Sequence, residues 1–311
     1  MTETQQKPAP GFYDDEVDLR AMFRVLWKGK WLIGGITSAA AVLAVVVALM
    51  LPNIYRAEAL LAPNDQDGAG GLSALAAQYG SLASLAGINL GSGSSDRTLL
   101  GLEILKSRKF ISEFIERRDI LVTLMAATGW DSETRHLIID PDQYDLATEQ
   151  WVRDVNPPKK PVPSLQEAYK AFSDILSVSQ DKKSGFVTVA VEHYSPDVAK
   201  QWTDWLIEDL NSSIMRQDVA EAEQAIHYLN EQIKTTSLSG LKEVFFNLIE
   251  EQTKKVMLAS VTEEYLLKTL DPAITPEKKY RPSRKLIVLL CTVLGGFASV
   301  VLVLALRATR K

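Results

Sequence analysis

Few side chains in this chain are of a type and spacing that could do chemistry. The three histidines, His136, His193 and His227, are far apart in sequence. His193 falls at the end of an expected strand and His227 on an expected long helix, where a packed or solvated role is the default. Asp131, Glu133 and His136 are ligand types within six positions, but no second ligand cluster accompanies them, so no metal is assigned. The pairs Glu250-Glu251 and Glu263-Glu264 lie in charge-dense helical runs and read as solvated faces. Cys291 is the single cysteine, which excludes an intrachain disulfide framework, a CxxC redox pair and a cysteine zinc cage. No GxxxxGK[ST] loop, GxSxG elbow or HExxH helix occurs. The expectation is therefore a protein with no catalytic residue, no cofactor and no metal, acting through its surfaces.

The elements that shape those surfaces are visible in the hydropathy. The 311 residues carry 34 Lys+Arg against 39 Asp+Glu, a net charge of −5, with a mean hydropathy of −0.01. Mild acidity without a basic block argues against nucleic-acid binding. The average conceals two uncharged stretches of 21 residues, 31–51 and 286–306. Each would span about 32 Å as a helix, close to the hydrocarbon thickness of a bilayer. The first starts too late and runs too long for a cleaved signal peptide, and no clear cleavage site follows it.

Two spans put both termini on one side. Arg20, Arg24, Lys28 and Lys30 precede the first, and Arg307, Arg310 and Lys311 follow the second, so that side is expected to be cytoplasmic. The expected organisation is a tail at 1–30, spans at 31–51 and 286–306, an exported domain at 52–285 and a five-residue tail at 307–311. The exported segment has 26 basic against 34 acidic residues and no thiol, which suits an oxidising compartment. The basic run 278–285 is read as juxtamembrane solubility, with contact to lipid or lipid-linked phosphates as the alternative.

Along that segment, residues 54–62 read as a strand ended by Pro63. Residues 64–95 are rich in Gly and Ser, and a small-residue helix there competes evenly with a flexible loop. A helix is expected over 99–118, irregular chain over 130–163, a helix over 164–176 and a strand over 186–194. A long helix then starts at Pro196 and runs to about residue 236. On it Met215, Val219, Ala222, Ile226, Leu229 and Ile233 recur at spacings of 4 and 3. Such a stripe suits packing against another helix, within the subunit or between protomers. A second helix is expected over 241–270, broken by Pro272, Pro276 and Pro282 before the second span. In the spans, Gly34 with Ser38, Ala40 with Ala44 and Ala48, and Gly295 and Gly296 with Ser299, place small residues where helix backbones can approach in lipid, against each other or a partner.

The segments DEVDLRAMFRVLWKGKWLI, PNIYRAEALLAP, LEILKSRKFISEFIERRDIL and SGFVTVAVEHYSPDVAKQWTDWLIEDLN, and the long stretch from LIEEQTKKVM through the proline-rich approach to LLCTVLGG, resemble the Wzz-like chain-length determinants, the polysaccharide co-polymerases. The resemblance implies an α+β fold in which two transmembrane helices flank a periplasmic domain with an α/β base and a long extended helix. It implies a homo-oligomer in the bacterial inner membrane that sets the modal length of an O-antigen or related glycan in lipopolysaccharide biosynthesis. Its implied partners are a Wzy-type polymerase, an undecaprenyl-linked glycan and the lipid bilayer. The short tail points to the type without a fused tyrosine kinase. A periplasmic adaptor joining an inner-membrane transporter to an outer-membrane channel is the alternative that long periplasmic helices also suit.

Overall fold

The computed structural model describes residues 27, 29–64 and 93–308. The tail before Trp27, nearly all of the Gly/Ser-rich segment 64–95 and the last three residues lie outside the described residues. The chain divides into two compact units, one of residues 1–51 and 282–311 and the other of 52–281.

The first unit is a pair of packed helices, α1 (Lys30–Met50) and α8 (Arg284–Ala308). Both are long and apolar enough to cross a membrane, and almost none of either is buried by protein. A helix apolar all round yet uncovered needs a solvent of hydrocarbon.

In the second unit a four-stranded antiparallel sheet has the order β6-β7-β1-β8. Its strands are β1 (Tyr55–Pro63), β6 (Leu176–Gln180), β7 (Val187–His193) and β8 (Leu267–Asp271). β1 lies centrally, pairing Tyr55 with His193 through Leu61 with Val187. Alternate residues Ala57, Ala59 and Leu61 of β1 are buried, the period-2 pattern of a strand with one face on a core. That face is covered by the first turns of α6 (Pro196–Thr235), through Trp202, Leu206 and Leu210, and by α5 (Leu165–Ile175), on which α3 (Arg108–Arg117) packs. The rings of Phe114, Phe172 and Trp202 pack in sequence at tilted angles, with centroids 5.4 and 5.8 Å apart.

Local chemistry sets the element ends. Ser195 caps α6 by accepting from the Val198 amide, with Pro196 at its first position. Ser164 and Glu167 form a reciprocal capping box on α5. The helix expected over 99–118 is two helices, α2 (Gly93–Lys106) and α3, because Ser107 turns extended and accepts from the Phe110 amide as the cap of α3. The short helix α4 (Leu121–Met125) follows.

The segment expected to be irregular, 130–163, instead contains two small hairpins, β2 (Ala127–Trp130) with β3 (Leu137–Ile139) and β4 (Tyr144–Asp145) with β5 (Gln150–Trp151). Their loops and the β6–β7 loop share one device. Asp131, Asp145 and Asp181 each accept a hydrogen bond from the amide two residues on, and a further one from Thr134, Thr148 or Ser184 respectively. The next residue, Arg135, Glu149 or Gly185, has φ of 57, 53 or 75°, which closes the hairpin.

The return helix is shorter than expected. α7 runs Ser239–Val261, and Leu267–Asp271 is the edge strand β8, a correction to a helix over 241–270. Pairing with β1, some 200 residues earlier, decides this end, and no local pattern carries that information.

Candidate interaction surfaces

Helices α6 and α7 form an antiparallel hairpin joined by three residues, Thr236 to Leu238. The inner face of α6 beyond Ile214 is the stripe of Met215, Val219, Ala222, Ile226, Leu229 and Ile233. Ala222 is fully buried and the others half-buried, while most positions between them are exposed. From α7, Phe245, Ile249, Val256 and Ala259 are the matching withdrawn positions. The stripe therefore faces α7 within the chain, the within-subunit packing being one of the two uses that its spacing suits.

What the hairpin leaves outward is a different apolar surface. Phe246, Met257 and Val261 of α7 are 57, 61 and 75% exposed, and Leu241, Val244 and Leu248 are 40 to 50% exposed. Both sets follow helical spacing, interrupted by the polar run 250–255. This face was missed in the sequence because Leu241, Val244 and Leu248 continue into the inner face without a break.

Asp218 ties the hairpin to the base. It pairs with Arg97 of α2, accepts from the Tyr265 hydroxyl at 2.9 Å and lies 3.4 Å from Lys255 of α7. The Arg97 guanidinium also lies over the Tyr265 ring. A second carboxylate, the buried Asp209, takes Arg118 at 2.9 Å and Arg117 at 3.2 Å, fixing the end of α3 on α6. Burial of Arg118 works against its charge, yet its bonds to Asp209 and Glu208 hold its pKa above the ordinary value.

Asn211 secures the edge strand. Its Oδ1 accepts from the Leu266 and Leu267 amides at 2.8 and 2.9 Å, and its Nδ2 donates to the Leu267 carbonyl at 3.0 Å. The ladder bond from the Asn64 amide to the Leu266 carbonyl makes Pro63 and Leu267 a non-hydrogen-bonded pair, so both polar groups of Leu267 point away from β1. Asn211 stands where a further strand would bond.

Of the histidines, His193 is buried at the end of β7. Its Nδ1 accepts from the Ser195 amide at 3.1 Å and its Nε2 lies 3.3 Å from the Thr123 carbonyl, an arrangement suited to the neutral ring. Burial lowers its pKa to about 4. The candidate ligand Asp131 is spent on its own turn, where the Glu133 amide and Thr134 hydroxyl hold its pKa below the usual value. Among the described residues no group of three potential ligands could hold a metal ion.

In the helix pair, Gly295 of α8 meets Ala40 of α1 so closely that an added Cβ would sit 2.6 Å from the alanine's. Gly296 faces Thr37, and Ser299 is buried, donating to the Gly296 carbonyl at 2.6 Å with Thr37 Oγ1 3.5 Å away. Ala44 and Ala48 complete the buried face of α1. Gly34 and Ser38, expected in helix packing, are exposed, and a Cβ on Gly34 would meet nothing within 4 Å. Ser38 follows Thr37 by one position, about 100° around the helix, so the within-chain contact uses Thr37, Ala40, Ala44 and Ala48 instead.

The proline-rich approach, with Pro272, Pro276 and Pro282, is non-helical. Within the second unit it returns to the start of the sheet, where Ile54 and Arg281 form a bridge and Arg56 donates to the Tyr280 hydroxyl at 3.0 Å. The guanidinium groups of Arg56 and Arg281 both lie over the Tyr280 ring.

Residues 15–117 match the model of the Wzz family, described as chain length determinant protein, and residues 240–308 match the GNVR family, described as G-rich domain on putative tyrosine kinase. No curated protein matches the chain. Among solved structures, a full-length bacterial polysaccharide co-polymerase aligns over 95% of this chain and 98% of its own at 15% identity, with a TM-score of 0.39. A fragment of WzzB, a polysaccharide co-polymerase from Salmonella Typhimurium, aligns over 74% of this chain and 100% of its own at 13% identity, with a TM-score of 0.26.

Proposed function

We propose, from the match of residues 15–117 to the Wzz family of chain length determinant proteins, that this chain is a member of that family and a non-enzymatic, two-pass inner-membrane regulator of the modal chain length of a surface polysaccharide. The family match carries this reading. The unit of two apolar helices and the separate unit bearing a 40-residue helix support it. In this reading both termini are cytoplasmic and residues 52–285 are a periplasmic domain between spans at 31–51 and 286–306. The glycan is an O-antigen or a relative, built on an undecaprenyl carrier by a Wzy-type polymerase. We assign this chain no kinase chemistry, although the description of the model matched by residues 240–308 mentions a putative tyrosine kinase.

The protein works here as a homo-oligomer. The stripe on α6 is covered by α7, so the outward residues Phe246, Met257 and Val261 are the surface proposed for protomer contact. Apolar side chains at such exposure on a helix in water favour burial by a partner, at about 25 cal/mol per Å² removed from solvent. Gly34 and Ser38, both exposed on α1, are proposed for contact with the polymerase or a second protomer in the bilayer, where small residues permit close approach.

The test is genetic. Deleting the protein in its host and resolving the polysaccharide on a gel should replace a distribution with a clear mode by one without it. An unchanged ladder would reject the function.

A further inference from the structure

The surface of the helix pair carries a groove of about 520 Å³, with Val45 and Leu49 of α1 and Val288 and Leu289 of α8 along it and Arg284 and Lys285 at its end. Three observations bear on what fills it. First, the aliphatic lining is open: Val45, Leu49 and Leu289 are 42, 63 and 64% exposed, a surface that suits hydrocarbon. Second, the only charged residues lining the groove are the cations Arg284 and Lys285. Third, those cations occupy the first turn of α8, a 25-residue helix whose amino end adds partial positive charge. Arg284 is also held in place, donating from Nη2 to the Leu51 carbonyl at 3.3 Å, while Lys285 is exposed.

We propose that this groove is a binding site for a phosphate-headed lipid of the bilayer, with an acyl chain along the aliphatic lining and the phosphate at Arg284 and Lys285. A zwitterionic lipid offers the same hydrocarbon but a compensated head, so the cations select for net negative charge. The inference rests on reading α1 and α8 as membrane spans, and it adds to that reading a defined lipid contact at one end of the pair. It requires no movement of either helix, since the groove is open on its lipid-facing side.

The experiment uses the full chain in mild detergent, titrated with phosphatidylglycerol or phosphatidylcholine and read by native mass spectrometry. Phosphatidylglycerol should be retained preferentially. Lys285→Gln should reduce that preference by about 5-fold, as expected for one basic charge near an anionic headgroup, and Arg284→Gln by a similar or larger factor. Lys285 is exposed, so its variant tests the charge without a folding defect. Val45→Trp, which fills the lining and leaves both cations, should reduce retention of the two lipids alike. Equal retention of both lipids by the unaltered chain, an undiminished preference in Lys285→Gln, or full retention in Val45→Trp would each overturn the site. Release of the protein from membranes by alkaline carbonate would instead reject the spans themselves, which separates the two failures.

Discussion

Asn211 gives the sharpest test of how the base holds its edge strand. Replacing it with Leu keeps the branched shape of the side chain but removes one acceptor and one donor. Three bonds are lost, to the amides of Leu266 and Leu267 and to the Leu267 carbonyl, at 2.8, 2.9 and 3.0 Å. Asn211 is 3% exposed and both leucines are buried, so water does not readily replace it. A buried polar group left unpaired costs about 1 to 3 kcal/mol. With partial relaxation of β8, Asn211→Leu should destabilise the second unit by about 3 to 5 kcal/mol. Asn211→Asp is the informative companion: it keeps an acceptor for both amides but turns a carboxylate toward the Leu267 carbonyl. It should cost less than Leu, and part of that cost should vanish at a pH low enough to protonate it. Urea unfolding of the full chain in detergent micelles, followed by tryptophan fluorescence, reads this directly, because Trp202 is buried on the same helix. A Leu variant within 1 kcal/mol of the original, or an Asp variant as unstable as Leu, would refute the clamp.

Three further outcomes follow from the same structure. Gly295→Leu should lower the thermal stability of the helix pair by about 1 to 3 kcal/mol through overpacking, while Gly34→Leu should leave it unchanged; equal effects in differential scanning fluorimetry would contradict the observed contact face. His193 titrates near 6.5 when exposed and near 4 when folded, so the unfolded chain binds more protons between those values. Its contribution is fully present above pH 6.5 and is lost as pH falls toward 4, by about 3 kcal/mol in all; His193→Gln should flatten that slope in stability measured across the window. Gly185 has φ of 75°, and Gly185→Ala should cost about 1 to 2 kcal/mol, read as a shift in the urea midpoint.

The legible and illegible parts of this chain divide along physical lines. The spans were readable because 21 uncharged residues have few other fates. The long helix was readable from Ser195-Pro196 and the period of its apolar positions. The partner of the 215–233 stripe was not, since a heptad pattern states that a face must be covered without saying by what. Likewise, small-residue spacing offered both Gly34 with Ser38 and Ala40 with Ala44 and Ala48 on α1, but which of the two faces meets α8 depends on the whole helix surface. The strand 267–271 is created by β1 and held by Asn211: Pro63 pairs with Leu267, 204 residues on, and Asn211 lies 56 residues from Leu267. The hairpins within 130–163 were legible in principle: Asp-x-x-Thr before a residue in the left-handed region is turn chemistry, hidden by a composition that reads as irregular.

The claim at the centre is that this protein sets polysaccharide length through an oligomer built on the outer face of α7. The most direct measurement is the glycan length distribution in a deletion strain complemented with the original gene or with Phe246→Glu/Met257→Glu, with membrane levels of the protein matched. The original gene should restore a single modal length, and the double variant, unable to bury those positions between protomers, should leave the distribution as broad as in the deletion. Restoration of the same mode by the double variant would contradict the proposed contact face, and a distribution indifferent to the original gene would contradict length control itself.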